Sequence, residues 1–421
     1  MLNLDIIRAH FPALTLNPST IYFDNPGGTQ IAQESLQRIS HYLQYTNANH
    51  GGEFHTSRAS DATVAEARQA MADFLNAVRP EEIVFGPNMT TLTLSISRSL
   101  GRTLQPGDEI VVTRLDHDAN IAPWLLVAED RGCTVRWVDF HEEDCTLDME
   151  DLARQITPRT KIVAVGYASN AVGTINDMQK AVQLAHQAGA LCFIDAVQYA
   201  PHRPIDVQAI DCDFLACSAY KFFGPHLGIL YGKYELLDQL TAYKVRPASN
   251  LPPEKFETGT QSFEAIAGTL GAIEYFEQIG NTFGAAYADQ YKDTFTRRRL
   301  ALKQAMAAIT DYELELNHSL LEAFSSIPGL HIHGITSPHS LDQRVPTFSF
   351  TRDGWTPSDI ATALDKAGIN VWNGNFYALA VTERLGLEDK GGLLRVGLVH
   401  YNTQAEIDRL ATAMSEIPHF M

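Results

Sequence analysis

Between residues 83 and 232, short and mostly apolar runs alternate with stretches whose apolar residues recur every three or four positions. The runs fall at 83–85, 110–112, 135–138, 162–165, 191–194 and 214–217. A brief apolar run without alternation reads as a strand covered on both faces, and such strands separated by helical stretches predict a parallel sheet flanked by helices. The stretch 177–188 is one such crossover helix, stopping near Gly189. Beyond Gly280 the rhythm changes. An amphipathic stretch over roughly 287–309 predicts a long helix, short strands follow near His331 and at 345–350, and two more helices are expected at 358–367 and 403–414. The change from one rhythm to the other predicts an α/β unit followed by a smaller α+β unit. The expected boundaries are an arm over 1–20 that joins the small domain, a large domain over 21–280 and a small C-terminal domain over 281–421. The segment 242–260, with Pro247, Pro252 and Pro253, follows neither period and reads as a long loop, a kind that often serves function.

Composition narrows the partners. A chain of 421 residues, 45% hydrophobic and 19% charged, is globular and long enough to bury a large core. A formal net charge of -18 with no run of Lys and Arg argues against nucleic acid and leaves small molecules and proteins. Neither a leader-like N-terminus nor a span-length apolar stretch is evident, so the expectation is a cytoplasmic protein that does not engage a membrane. The cysteines Cys133, Cys145, Cys192, Cys212 and Cys217 are odd in number and lack metal-ligand spacing, which favours reduced thiols and no metal. All of them precede Lys221.

The chemistry-bearing residues gather where the apolar runs end. Lys221 follows the run 214–217, and burial at a strand mouth lowers an amine's pKa and favours its neutral, nucleophilic form. An aldehyde is the natural partner of such an amine. Asp195 closes the run 191–194, where a carboxylate suits a protonated pyridine nitrogen. Asn88-Met89-Thr90-Thr91 opens a helix after the strand at 83–85, so its amides suit a phosphate, although the same residues suit an ordinary N-cap. Ser218 and Tyr220 add hydroxyls beside Lys221, or serve the turn there. Together these are the amine, carboxylate and phosphate donors that a pyridoxal phosphate site needs. His117 lies between Asp116 and Asp118, a setting expected to favour its protonated form, and it could stack on a ring or move protons. Asn170, after the strand at 162–165, suits a phenolic oxygen or a turn with Gly173. Arg395 sits inside the apolar run 393–399 and must be paired, either with a substrate carboxylate or in a structural salt bridge.

These residues, in this order, resemble the class V aminotransferase family of fold-type I pyridoxal phosphate enzymes, most closely its cysteine desulfurase and selenocysteine lyase branch. The match runs from residues 22–28 through Asp116 to Asn120, Ser169 to Thr174, Asp195 to Gln198 and Lys221, and on to Arg395 and Tyr401-Asn402-Thr403. The resemblance implies a large domain with a mostly parallel seven-stranded sheet and a homodimer with shared active sites. It makes Lys221 the lysine that joins the cofactor, pairs Asp195 with the ring nitrogen and stacks His117 on the ring. Gln198 and Asn170 would meet the ring oxygen side, with Thr90, Met89, Ser218 and Tyr220 on the phosphate side. Thr260 would reach the partner's phosphate, and His50 and His55 would face the neighbouring site. Arg395 would bind the carboxylate of an amino-acid substrate, with Asn375 and Tyr377 nearby.

Two positions depart from that pattern. Desulfurases usually carry a histidine before the lysine, and here that residue is Tyr220. Their persulfide-forming cysteine lies on a loop that corresponds to 371–378, where Tyr377 takes its approximate place. A tyrosine cannot accept sulfur from a substrate. The expected reaction is therefore β-elimination, a carbon–sulfur lyase activity on cysteine, cystine or an S-substituted cysteine. An aminotransferase or an epimerase of the same family is the alternative; a true desulfurase or a non-catalytic homologue is less favoured.

Overall fold

The computed structural model describes residues 2–418. Its larger sheet has seven strands in the order Ile83–Gly86, Gly228–Gly232, Phe214–Ser218, Leu191–Asp195, Thr160–Gly166, Glu109–Thr113 and Thr134–Val138. Each apolar run seen in the sequence is one of these strands. The remaining strand, Gly228–Gly232, is antiparallel to both of its neighbours. It follows Phe214–Ser218 after a short turn, and a connection that short can only reverse the chain. Every other adjacent pair is parallel. Gly166, Asp195 and Ala216 stand side by side in register, so the residues that follow these strands emerge along one edge.

Glycine lets a helix close on that edge. A Cβ on Gly228 would collide with the backbone of Asn88 and Met89, so only glycine allows the helix Met89–Gly101 to begin against the sheet. The Asn88 side chain caps that helix, accepting from the Thr91 amide at 2.8 Å.

A second, four-stranded antiparallel sheet is ordered Trp372–Gly374, Leu393–Gly397, Thr347–Arg352 and Leu330–His333. Helices Pro357–Lys366 and Gln404–Glu416 contribute to its core with Phe348, Phe350, Leu394, Val396 and Leu410. Ile21 and Phe23 also pack in this core, and the strand Ile21–Tyr22 pairs in parallel with Ile369–Asn370. In the N-terminal arm, Arg8 donates to the Tyr401 carbonyl at 2.7 Å and pairs with Glu406 at 2.9 Å.

The long helix differs from its expected position over 287–309. It spans Arg297–Ser325, preceded by the short helical pieces Gly284–Tyr287 and Ala288–Tyr291 and a turn. Its apolar face changes partner along its length: Leu302, Met306 and Ile309 pack into the core beneath the large sheet, whereas Leu316, Leu320 and Phe324 pack into the C-terminal core. Between the two lies buried Glu313, paired with His202 at 2.8 Å. A carboxylate on the buried face breaks the periodic pattern, which is why the helix is underread beyond Ile309. The cysteines are free thiols, and among the described residues no helix is long and apolar enough to cross a membrane.

Candidate active site

A cleft of about 1080 Å³ separates the carboxyl edge of the large sheet from the strands Trp372–Gly374 and Leu393–Gly397. The crevice beyond the carboxyl ends of strands is where ligands collect in open α/β sheets. Its floor comes from the large sheet. Lys221 closes a short turn after Phe214–Ser218, and its buried Nζ donates to the Pro26 carbonyl. Burial lowers the amine to about 7, helped by Arg395 and opposed by Asp195. Asp195 ends the neighbouring strand and accepts from the Val197 amide at 2.9 Å. Burial raises its carboxyl to about 6 against that amide and Lys221.

His117 does not have the protonated character expected from its sequence neighbours. Burial first, then Lys221 and Arg395, lower it to about 4, so the ring is neutral at pH 7. Its Nδ1 accepts from the Ala119 amide at 2.9 Å, which leaves the proton on Nε2. Asp116 turns away from it. That carboxylate accepts from the Gly166 amide and Asn120 Nδ2, both at 2.8 Å, and from the Thr113 hydroxyl at 3.0 Å. Burial, then the charge of Asp195, raises it to about 7. A carboxylate adjacent in sequence has thus been spent inside the floor.

The remaining floor residues surround these. Met89 is buried and Thr90 exposed at the start of the helix Met89–Gly101, and both line the cleft. Ser218 is buried there, and the Tyr220 ring stacks on His226 with centroids 5.0 Å apart. Gln198 donates to the Thr347 hydroxyl at 3.0 Å. Asn170 donates to the Phe376 carbonyl at 2.9 Å and offers its own carbonyl to Arg395 at 2.8 Å, while its Oδ1 is buried without a partner.

The roof comes from the C-terminal sheet. Arg395 is buried and stands opposite Trp372 and Ser349 on the flanking strands. Its guanidinium lies 4.1 Å from the centre of the Phe376 ring, its Nε has no partner, and no carboxylate among the described residues comes within ion-pair distance. Burial lowers it to about 9, opposed by Tyr220 and Asp24. Phe376 and Tyr377 both have left-handed backbones, at φ of 56° and 58°. Such a conformation is costly for bulky side chains, and here it is held by hydrogen bonds. The Tyr377 carbonyl accepts from the Asp118 amide at 2.7 Å, its amide donates to Asn375 Oδ1 at 3.1 Å, and Asn375 Nδ2 donates to Glu388 at 3.0 Å. The Tyr377 ring stacks over His117 at 5.6 Å and 23°.

His55 and Thr260 lie outside this cleft. His55 is exposed at the start of the helix His55–Leu75, Thr260 is exposed before the helix Phe263–Phe283, and His50 lies 6.0 Å from Phe263. Leu94, Leu126 and Glu388 line the cleft without having been singled out in the sequence. Leu94 stands one turn after Thr90 and Leu126 one turn after Ala122, so the spacing along each helix carried a signal. Glu388 had none.

A buried amine kept near neutrality, a buried carboxylate on the next strand, a helix N-terminus on the same edge and unpartnered polar atoms on Asn170 and Arg395 fit pyridoxal phosphate. Fold and site define a pyridoxal phosphate enzyme. The chain belongs to the class V aminotransferase family, whose model matches residues 21–303 and 297–410. It is 34% identical to the aminotransferase-like protein FGM3 of Gibberella zeae, over 99% of this chain and 98% of that one. It is 33% identical to a probable cysteine desulfurase of Synechocystis, over 96% of this chain and 92% of the relative. The apo structure of a cysteine desulfurase from Thermococcus onnurineus NA1 superposes with a TM-score of 0.87 at 26% identity, over 99% and 98% of the two chains.

Proposed function

We propose that the enzyme is a carbon–sulfur lyase that acts on cysteine, cystine or an S-substituted cysteine without a sulfur-carrying thiol of its own. The observation that carries this reading is that no cysteine lines the cleft, and Tyr377 stands on the roof loop. Cys145, Cys192, Cys212 and Cys217 are buried, and burial pushes each thiol up, to about 12 for Cys145. None is available as a thiolate nucleophile.

In this reading Lys221 would hold the cofactor through its aldehyde and Asp195 would pair with its ring nitrogen. His117 would pack on the ring as a neutral imidazole, Asn170 and Gln198 would face its phenolic oxygen, and Met89, Thr90, Ser218 and Tyr220 would receive its phosphate. The cofactor supplies an electron sink for the pair left on the substrate's α carbon. Arg395, with no carboxylate of its own, grips the substrate's α-carboxylate, which fixes the α carbon beside Lys221. Once the substrate's own amine had displaced it from the aldehyde carbon, the Lys221 amine would be free to remove the α proton, and the sulfur group would leave the β carbon as a thiolate. Water completes the balance: one S-substituted cysteine and water give a thiol, pyruvate and ammonia. Asn375 and Tyr377 face the side chain. Thr260 and His55, exposed and outside this cleft, act across a homodimer interface in the neighbouring site.

The likeness to an aminotransferase-like protein favours a second reading, amino-group transfer. Incubating the holoenzyme with cystine and with cysteine thioethers separates the two. Pyruvate and ammonia in equal amounts are the expected products, accompanied by one thiol from each thioether and by one cysteine persulfide from each cystine. A keto acid that keeps its sulfur substituent identifies a transaminase instead, and recovery of the opposite enantiomer identifies an epimerase.

A further inference from the structure

The groups that hold the reacting atoms are bordered by apolar surface. Lys221 rests on the Pro26 carbonyl, and a Cβ on the next residue, Gly27, would collide with the Trp372 indole. Trp372 is also directly opposite Arg395 across the sheet. One indole therefore packs against the residue after the carbonyl that holds the amine and stands across the sheet from the guanidinium. Continuing outward, Tyr377, Leu126, Leu94 and Phe376 line the same cleft. Within one subunit Trp372 is 49% exposed, Leu126 51% and Tyr377 74%, aromatic and aliphatic surface on the cleft wall larger than a substrate the size of cysteine can cover.

Charge narrows the class further. Lys221 and Arg395 are the only Lys or Arg residues lining the cleft among the described residues, and both are committed to the reacting centre. The acidic residues that line the cleft beside the roof loop are Asp118, whose backbone amide holds the Tyr377 carbonyl, and Glu388, which accepts from Asn375 and from Thr382 Oγ1 at 2.5 Å. An anionic side chain on the substrate would meet these carboxylates with no cation to pair it.

We propose that the substrate is a cysteine thioether whose sulfur bears a bulky, uncharged alkyl or aryl group, and that Trp372 and Tyr377 select it. This rests on the lyase reading for its sulfur and on the cleft alone for its bulk. Burying an added ring against these walls is worth roughly tenfold or more in efficiency, since even single methylenes in an apolar pocket discriminate by about 10- to 200-fold.

The test uses two readouts on the holoenzyme. Pyruvate release is followed with cysteine, S-methylcysteine, S-carboxymethylcysteine and S-benzylcysteine. Binding of phenylalanine and alanine, which carry no sulfur to expel, is followed by the change in cofactor absorbance. The expected results are S-benzylcysteine at least about tenfold ahead of the others in kcat/KM, phenylalanine bound more tightly than alanine, and both preferences largely lost in Trp372→Ala. Equal efficiency across the series, a preference for S-carboxymethylcysteine, or alanine bound as tightly as phenylalanine overturns the proposal. A phenylalanine preference without pyruvate from any thioether overturns the lyase reading and leaves the selection of bulk standing.

Discussion

The two faces of the cleft are built in opposite ways. On the floor, Lys221, Asp195 and His117 follow strand ends, are largely buried, and have their protonation set by burial and by one another. On the roof, Trp372 is 49% exposed and Tyr377 74%, and residues 376 and 377 hold a backbone that bulky side chains rarely adopt. The floor resembles a core that happens to carry polar ends, whereas the roof is a surface loop drawn into place. The difference supports the proposed division of labour, in which the floor would hold the cofactor and move the proton while the roof would select the substrate side chain.

The largest effect that separates the two faces is expected from Lys221→Ala, on the order of a thousandfold or more in kcat, with loss of the absorbance of cofactor joined to protein. A variant that kept both would remove the floor's central role. Arg395→Ala, at the base of the roof, is expected to weaken amino-acid binding roughly ten- to a hundredfold, the worth of a charge-assisted pair, while cofactor content stays near wild type. Equal loss of both would make Arg395 part of the scaffold.

A pH experiment sharpens the picture of the floor. The Lys221 amine is depressed to about 7, so it is protonated below that value and free above it. The rate at which apoprotein captures pyridoxal phosphate should rise about tenfold per unit below pH 7 and level off above roughly pH 8. His117 near 4 adds no step in that range, whereas the Asp195 and Asp116 carboxyls, near 6 and 7, titrate within it; an inflection between pH 5 and about 7 that persists in Asp195→Asn and is lost in His117→Phe would show that the imidazole titrates there after all. The smallest effect belongs to the roof. Tyr377→Asn, which tolerates the left-handed backbone better, should gain up to about 1 kcal/mol in thermal unfolding while the preference for bulky thioethers falls. Unchanged selectivity in that variant would detach Tyr377 from recognition.

How much of this was legible in the sequence follows the same division. Lys221 and Asp195 could be found because a strand end is marked locally, by an apolar run that stops at a polar residue. The charge of His117 could not, because Asp116 and Asp118 are neighbours in sequence only: Asp116 is absorbed by the Gly166 amide from another strand, and the imidazole faces Lys221 and Arg395 instead. Tyr377 could be picked out by its position on the loop, but its stacking over His117 depends on residues 260 positions away in the chain, beyond the reach of local pattern. His55 and Thr260 show the converse: motif order named them, and the folded chain leaves both outside its own cleft.

The helix Arg297–Ser325 has one further consequence. At 29 residues it is roughly 43 Å long, with its first half embedded under the floor and its second half under the roof. A rod seated in both bodies works like the frame of a calliper, resisting any swing that would part the jaws.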